Sequence, residues 1–465
     1  MSVSNPGRKS SVNNLALLTD LYELTMAASY WENEMFQPAT FSLIIREYPS
    51  SRRYFVSAGL ADVLDYVENF RFTADDLDYL EKTGLFKPGF LSYLENLCFT
   101  GDVYAIPEGR LFFVNEPVLE ITAPLPQAQI VETFIINTVN LQVLIATKAS
   151  RCVHAAWPRK IVDFSLRRTQ GIDAGLKVAR ASFIGGFIGT SNVLAGKIYG
   201  LPIYGTMAHS YITCFEREID AFRAFSRSFP ENTILLVDTY DTLAGAEKAS
   251  QVGREMADEG RSLRGVRLDS GDIARLSREV RKILEKRGLE EAMIFASGGF
   301  DEYKIREVLS QGGEVDSFGV GTKMGVSADA PYTDMAYKMV EYAGRPVMKL
   351  SSGKATLPGR KQVFRFYDEG GKLRKDILGM RNEQFDNAQP LLEKVMEGGK
   401  VKVKLPSLPE IQKSFFEEFS KLDRIYKAIE PGERFYPLLL SPLLKRLQEK
   451  TVRDLKEKEA FEKEG

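Results

Sequence analysis

A chain of 465 residues, 44% apolar and 11% aromatic, is long enough to bury a large core and to divide into more than one structural unit. Its 62 Lys and Arg balance 63 Asp and Glu, which excludes a basic field that gathers nucleic acid and an acidic, solvating disordered chain; a small-molecule enzyme fits that balance. Cys98, Cys152 and Cys214 are too few and too scattered for a zinc CxxC pattern or a disulfide framework, so a reducing, cytoplasmic setting is expected, and no signal-peptide core or uninterrupted membrane-length apolar run is visible.

Residues 1–14 are polar and read as a disordered tail. In residues 15–128, Leu17, Leu21, Leu24, Ala28 and Trp31 recur at helical spacing, with Asp20 and Glu23 placed as a capping pair. The strand-like FSLIIREYP, a helix over 59–70 and the extended runs VYAIPEG, RLFFVNEP and VLEITAPLP follow, which together suggest an α+β domain. From 129 to 345 the texture changes to short apolar runs, each ending in polar or glycine residues and leading into a helix: IVDF, GFIG, PIYG, ILLVD, GVRLD, MIFAS and SFGVG. Parallel strands need crossover helices, so this rhythm argues a β/α barrel, with an open doubly wound sheet as the alternative. Residues 346–400 return to extended runs that complete the α+β domain, and 401–465 read as a C-terminal helical segment with a solvated charged face.

In a parallel barrel the C-terminal strand ends face the active-site mouth, and here they carry Arg167, Ser191, His209, Asp238, Asp241, Arg267, Asp269 and Gly298. His209, at a strand-to-helix junction, is placed for base or nucleophilic work, whereas the other histidine, His154, reads as a satisfied buried side chain. Asp238, Asp241, Asp269 and Asp272 with Arg267 suit Mg²⁺, ribose hydroxyls or positive charge on a sugar ring; Asp241, Ser270 and Asp272 serve equally well as helix caps. Phe164 beside Arg167 and Arg168 suits a flat anionic ring, although a phenylalanine such as Phe164 is on its own more often core than clamp. The turns FIGGFIGTSN, ASGGFDEYK and FGVGTKMG can close backbone amides on phosphate, and none is a Walker A or Rossmann loop. Lys349, Lys354, Arg360 and Lys361 crowd one loop, which is either solvated or a pyrophosphate clamp.

TDLYELTMA, DFSLRRTQG, GTSNVLAG, GTMAHS, VDTYDT, VRLDSGD, SGGFDEYKI, FGVGT and KLSSGKATLPGRKQVFR stand in this order between residues 19 and 365, about three quarters of the chain. In them the chain resembles the nicotinate phosphoribosyltransferase family. The resemblance implies a type II phosphoribosyltransferase: an irregular seven-stranded β/α barrel, an α+β domain built from N- and C-terminal segments, and a homodimer with shared active sites. It implies nicotinate and phosphoribosyl pyrophosphate as substrates, Mg²⁺ and ATP as cofactor and co-substrate, and phosphorylation of the GTMAHS histidine, here His209. It also implies that Phe164 and Tyr22 of a second copy sandwich the pyridine, with Arg167 and Ser191 at its carboxylate. Asp238, Arg267 and Asp269 then hold the ribose; Gly298, Gly299, Gly321 and Thr322 receive phosphate; Arg46, Lys349 and Lys354 face pyrophosphate. A nicotinamide phosphoribosyltransferase, which shares the superfamily and a similar histidine, is the nearest alternative, although such relatives look to carry aspartate where Ser191 stands; a silent binding barrel is the more distant one.

Overall fold

The alternation in FSLIIREYP becomes the strand Pro38–Ile45, whose Phe41, Leu43 and Ile45 are buried on one face. Side chains on a strand alternate, so those three share that face with the cross-strand neighbours Ile121, Leu119 and Tyr337. Burying each such side chain stabilises the sheet by about 1.5–3 kcal/mol. The computed structural model describes residues 15–350 and 356–464, with side chains to 457; the predicted tail 1–14 and Lys354 lie outside the described residues.

The chain forms two compact units. One takes in the chain up to Val143, Tyr332–Ala428 and Gly432 onward; the other is Leu144–Pro331 with Ile429–Pro431. The division falls inside the helix Glu132–Ala156, whose apolar run does not reveal where its packing partners change. By length and composition Leu125–Ala156 passes as a membrane span, but 67% of its most apolar window is buried within the protein, as in a core helix.

The first unit holds a seven-stranded sheet in the order Arg345–Pro346, Met335–Tyr342, Pro38–Ile45, Pro117–Pro124, Asp102–Ala105, Glu393–Glu397 and Lys400–Val401, so both ends of the chain contribute. A four-stranded sheet contains Lys361–Tyr367 and Leu373–Met380, and Leu438–Leu440 joins it in parallel with the latter. That last strand is only three residues long, too short to show a period inside a segment otherwise read as helix.

The early helix spans Leu21–Glu32, and the expected capping pair is absent. Asp20 sits at the N-cap but its carboxylate meets Thr133 Oγ1 at 2.6 Å, and Glu23, fully buried, meets the same hydroxyl at 2.7 Å and the hydroxyl of Thr19. Burial pushes the Glu23 carboxyl from 4.5 up to about 7, helped by the nearby Glu132 and Asp20 charges and opposed by the two hydroxyls. A carboxyl with a raised folded-state value contributes fully below its unfolded value and loses that contribution as pH climbs through the folded one. Stability is therefore expected to decline between pH 4.5 and about 7 through this group. Thermal melts of the parent and Glu23→Gln across that range should converge at the acid end and separate towards pH 8, the variant melting higher; parallel curves would remove Glu23 as the cause.

The second unit is built on five parallel strands in the order Lys160–Asp163, Ser317–Val320, Met293–Ala296, Gly265–Leu268, Ile234–Leu236. The helices Thr242–Asp258, Ile273–Lys286 and Glu302–Ser310 supply crossovers. GFIG and PIYG, expected as strands, are short extended segments in the same parallel row: Thr190 bridges Asp163 on one side and Ile203 on the other, with Ile188 N donating to the Ile161 carbonyl (2.9 Å), Asp163 N to the Gly189 carbonyl (3.0 Å) and Tyr204 N to the Thr190 carbonyl (2.9 Å). Gly189 lies so near the Pro202 carbonyl that a Cβ would approach to 2.3 Å, so a side chain there would push the two segments apart. A row of seven parallel segments results, running from Ile203 to Ile234–Leu236, with no backbone pairing between its two outer members among the described residues. The fold is therefore mixed α/β with a parallel sheet.

Candidate active site

Phe164 follows its strand directly, its N–H donating to the Val320 carbonyl (2.8 Å). Its ring rests 5.5 Å from Phe295, and Gly319 is required beneath it, since a Cβ there would come within 2.7 Å of the ring. The chain then turns through Leu166–Arg168, leaving Arg167 and Arg168 exposed. Phe164, Leu166, Arg167, Ser191, Gly205, Thr206, Met207, Ala208 and Arg267 line a cavity of about 360 Å³. An aromatic face, a free guanidinium edge and a neutral hydroxyl therefore stand around a space sized for one small ring and its substituent.

Arg267 is held on every side. Its Nε donates to Ser297 Oγ (2.8 Å), Nη1 to Thr206 Oγ1 and the Met207 carbonyl (both 3.2 Å), and Nη2 to Asp269 Oδ1 (2.7 Å). The guanidinium also lies 5.5 Å from the Phe164 ring centroid, in cation–π range. Burial raises the Asp269 carboxyl, but hydrogen bonds from Ser297 and Arg267 and the nearby His209 outweigh it and hold the group below its ordinary value. Asp269 thus stays ionised beside the cavity at neutral pH.

Asp238 Oδ2 accepts from Asp269 N (3.0 Å) and Ser270 Oγ (2.6 Å), while its Oδ1 is buried without a hydrogen-bond partner. A buried carboxylate oxygen left open is costly unless a ligand or ion completes it. His209 begins the helix His209–Thr213, its Nδ1 3.1 Å from Thr239 Oγ1 and its Nε2 3.9 Å from Asp269 Oδ2, with the side chain 44% exposed. It is thus oriented and reachable. Asp241 and Asp272 prove to be helix caps, accepting from Ala244 N and Arg275 N; Ser270 caps nothing and donates to Asp238.

At the next strand ends, Gly298 (φ 97°) and Gly299 (φ 69°) take backbone conformations that disfavour a side chain, and a Cβ on Gly298 would lie 1.9 Å from the Asp269 carbonyl. Gly321 passes close to the Phe164 carbonyl just before Thr322. Lys304 Nζ donates to the Gly298 carbonyl (2.8 Å) and Lys323 Nζ to Asp301 (2.9 Å), which places two cations at these turns.

The first unit holds the remaining predicted residues. Tyr22 is 48% exposed on the early helix, and its phenol is pushed well above its usual value by burial and by the Glu132, Glu23 and Asp20 charges. Arg46 pairs with Asp334 (2.5 Å), its Nε buried without a partner. Lys349 is exposed. Arg360 and Lys361 do not form a phosphate clamp: Arg360 pairs with Glu341 (2.7 Å), and Lys361 is buried on Glu120 (3.2 Å) and the Gly359 carbonyl (2.7 Å). Residues 361–365 of this strand are all buried, Lys361 among them, which its charge hid. His154, expected buried, is exposed on its helix.

Sequence reading missed Thr206, Thr239 and Ser297, which orient Arg267 and His209. Their only signal was position: Thr239 and Ser297 stand next to Asp238 and Gly298, and Thr206 lies in the GTMAHS segment with His209.

This arrangement defines an α/β enzyme whose cavity takes a small flat anion next to groups suited to a sugar and phosphates. A family model described as the nicotinate phosphoribosyltransferase N-terminal domain matches residues 17–140, and one for the nicotinate phosphoribosyltransferase family matches residues 159–368. The chain is 45% identical over 427 residues to a nicotinate phosphoribosyltransferase of Mycobacterium tuberculosis, covering 92% of this chain and 91% of the relative. It is 36% identical over 460 residues to the Bacillus subtilis enzyme of that name, covering 92% and 93%. The crystal structure of human nicotinic acid phosphoribosyltransferase superposes with a TM-score of 0.83 at 28% identity, over 93% of this chain and 99% of that one. The chain belongs to the nicotinate phosphoribosyltransferase family.

Proposed function

We propose that the chain transfers the phosphoribosyl group of phosphoribosyl pyrophosphate to nicotinate, giving nicotinate mononucleotide and pyrophosphate, the first step from nicotinate to NAD. The observation that carries this reading is the cavity in which Phe164, Arg167 and Ser191 surround a space bordered by the Arg267–Asp269–Asp238 network. Phe164 stacks on the pyridine, Arg167 forms charge-assisted hydrogen bonds to its carboxylate, and Ser191 donates without adding negative charge. Pyrophosphate leaves C1 of the ribose as the pyridine nitrogen approaches the opposite face. Asp238 and Asp269 stabilise the positive charge that develops on the sugar, while the amides at Gly298, Gly299, Gly321 and Thr322 hold phosphate.

Among the described residues no cluster of three His, Cys, Asp or Glu side chains forms a dedicated metal site. Mg²⁺ commonly binds through substrate phosphates plus one or two carboxylates, and the open Asp238 Oδ1 fits that use. Held by Asp238 and the substrate phosphates, Mg²⁺ would supply positive charge to offset that of the leaving pyrophosphate.

ATP enters through His209, whose ring is exposed and oriented by Thr239, so that it accepts a phosphoryl group and hydrolysis of that group couples to turnover. The row of seven parallel segments closes as an irregular barrel between Ile203 and Ile234–Leu236. Arg267 reaching Thr206, and His209 reaching Thr239, both bridge that gap by side chains. The enzyme works as a cytoplasmic homodimer: Val193, Leu194, Ile198 and Ile203 expose apolar surface beside the cavity's own segments, and exposed Tyr22 of a second copy supplies the other face of the pyridine sandwich. Arg46 and Lys349 face pyrophosphate; Lys354, expected there too, lies outside the described residues.

Two measurements test this. Purified protein with nicotinate, phosphoribosyl pyrophosphate and Mg²⁺ should hydrolyse ATP in fixed proportion to the nicotinate mononucleotide formed; product formation indifferent to ATP would remove the coupling. Tyr22→Ala and Phe164→Ala proteins, each nearly inactive, should recover about a quarter of parental activity after subunit exchange, because half the dimers are mixed and each retains one intact site. No recovery after proven exchange would remove the shared site.

A further inference from the structure

We infer that Asp163 and Thr190, neither of which lines the cavity, are positioning residues that set its selectivity for the pyridine substituent. Asp163 is the residue before Phe164 and Thr190 the residue before Ser191, so each stands one bond behind a cavity wall. Both are buried, at 1% and 0% exposure. Thr190 Oγ1 donates to Asp163 Oδ2 (2.7 Å), and the other carboxylate oxygen accepts from Ser165 N (2.8 Å). The backbones are tied as well, with Ser191 N donating to the Asp163 carbonyl (2.8 Å).

The roles of these groups are fixed in direction. Thr190 Oγ1 also accepts from Asn192 N (3.0 Å), so its single proton must go to Asp163. Asp163 in turn receives one donor on each oxygen, a pattern an asparagine amide cannot satisfy; burial raises its carboxyl above the ordinary value and the hydrogen bonds from Ser165 and Thr190 oppose that rise. Asn192 passes the constraint on: its Oδ1 accepts from Ala195 N (3.1 Å) and its Nδ2 donates to the Gly175 carbonyl (3.2 Å). One buried network therefore locks the turn bearing Phe164 and Arg167 to the turn bearing Ser191, so the distance between the stacking face and the group facing the ring substituent is fixed before substrate arrives. Burying a carboxylate among neutral donors is costly, and a fold that needed only packing here is served as well by an apolar pair.

The inference rests on nicotinate occupying this cavity, and Arg167→Ala, assayed in parallel, keeps the two claims separate. Thr190→Val preserves shape and removes the bridging hydroxyl; Asp163→Asn sets a donor against a donor. With circular dichroism and melting confirming the fold, either variant should raise the nicotinate KM about tenfold or more and shrink the nicotinate-to-nicotinamide ratio of kcat/KM. The KM for phosphoribosyl pyrophosphate should stay within about twofold, since its proposed phosphate turns lie on other strands. Thr190→Ser, which keeps the hydroxyl, should restore parental values. If Thr190→Val does not fold, Thr190→Ala against Thr190→Ser decides on the same readouts. An unchanged nicotinate KM, both substrates' KM rising together, or a serine variant as impaired as the valine one would overturn the inference. An Arg167→Ala protein with unaltered nicotinate KM would instead remove the cavity assignment.

Discussion

Ser191→Asp is expected to cut the preference for nicotinate over nicotinamide by about a hundredfold or more. Ser191 and Arg167 line the same cavity above Phe164, and the wall they form presents donors to an anion. A carboxylate at residue 191 would face the nicotinate carboxylate at short range in a poorly solvated space, and would lose the hydroxyl donor as well. Repulsion and the lost hydrogen bond to a charged group together cost about 2–4 kcal/mol, which sets the size of the change. Nicotinamide suffers neither penalty, because its NH₂ donates to the new carboxylate. The ratio of kcat/KM for the two bases in both proteins measures this directly, and an unchanged ratio would place selection elsewhere in the molecule.

His209→Asn is expected to abolish ATP stimulation and ATP hydrolysis while slow, ATP-independent product formation persists. Asparagine keeps polarity and approximate size yet offers no nitrogen that takes a phosphoryl group at neutral pH. Thr239 orients one ring nitrogen of His209, and the Asp269 carboxylate lies 3.9 Å from the other. Removing the ring should therefore lower ATP turnover by at least about a hundredfold and leave the pyridine cavity, built from other side chains, able to bind nicotinate. Equal ATP stimulation in variant and parent would show that the nucleotide acts at another group.

How much of this was legible in the sequence depends on what each residue needed from the rest of the fold. IVDF, ILLVD, GVRLD, MIFAS and SFGVG announced their strands because they are short aliphatic runs stopped by polar residues, and the polar stops mark the site. GFIG and PIYG look alike in composition and join the same parallel row, though they pair over fewer residues than the other strands. Asp238, Arg267 and Asp269 were visible as strand-end charges, whereas Thr206, Thr239 and Ser297 were not: a lone hydroxyl carries no periodicity, and its partner lies 30 to 61 residues away. Asp20 with Glu23 has the spacing of a capping pair, yet Thr133, more than a hundred residues on, draws both carboxyls away from that role. Charge misled at Lys361, where the pattern of the surrounding strand turns a lysine towards Glu120 instead of solvent.

The most direct test of the central claim follows the bond that forms. Purified protein supplied with ring-labelled nicotinate, phosphoribosyl pyrophosphate and Mg²⁺ should yield labelled nicotinate mononucleotide and an equal amount of pyrophosphate, and Arg167→Ala should sharply raise the nicotinate concentration required. Absence of labelled mononucleotide from a folded, phosphoribosyl pyrophosphate-saturated protein would contradict it.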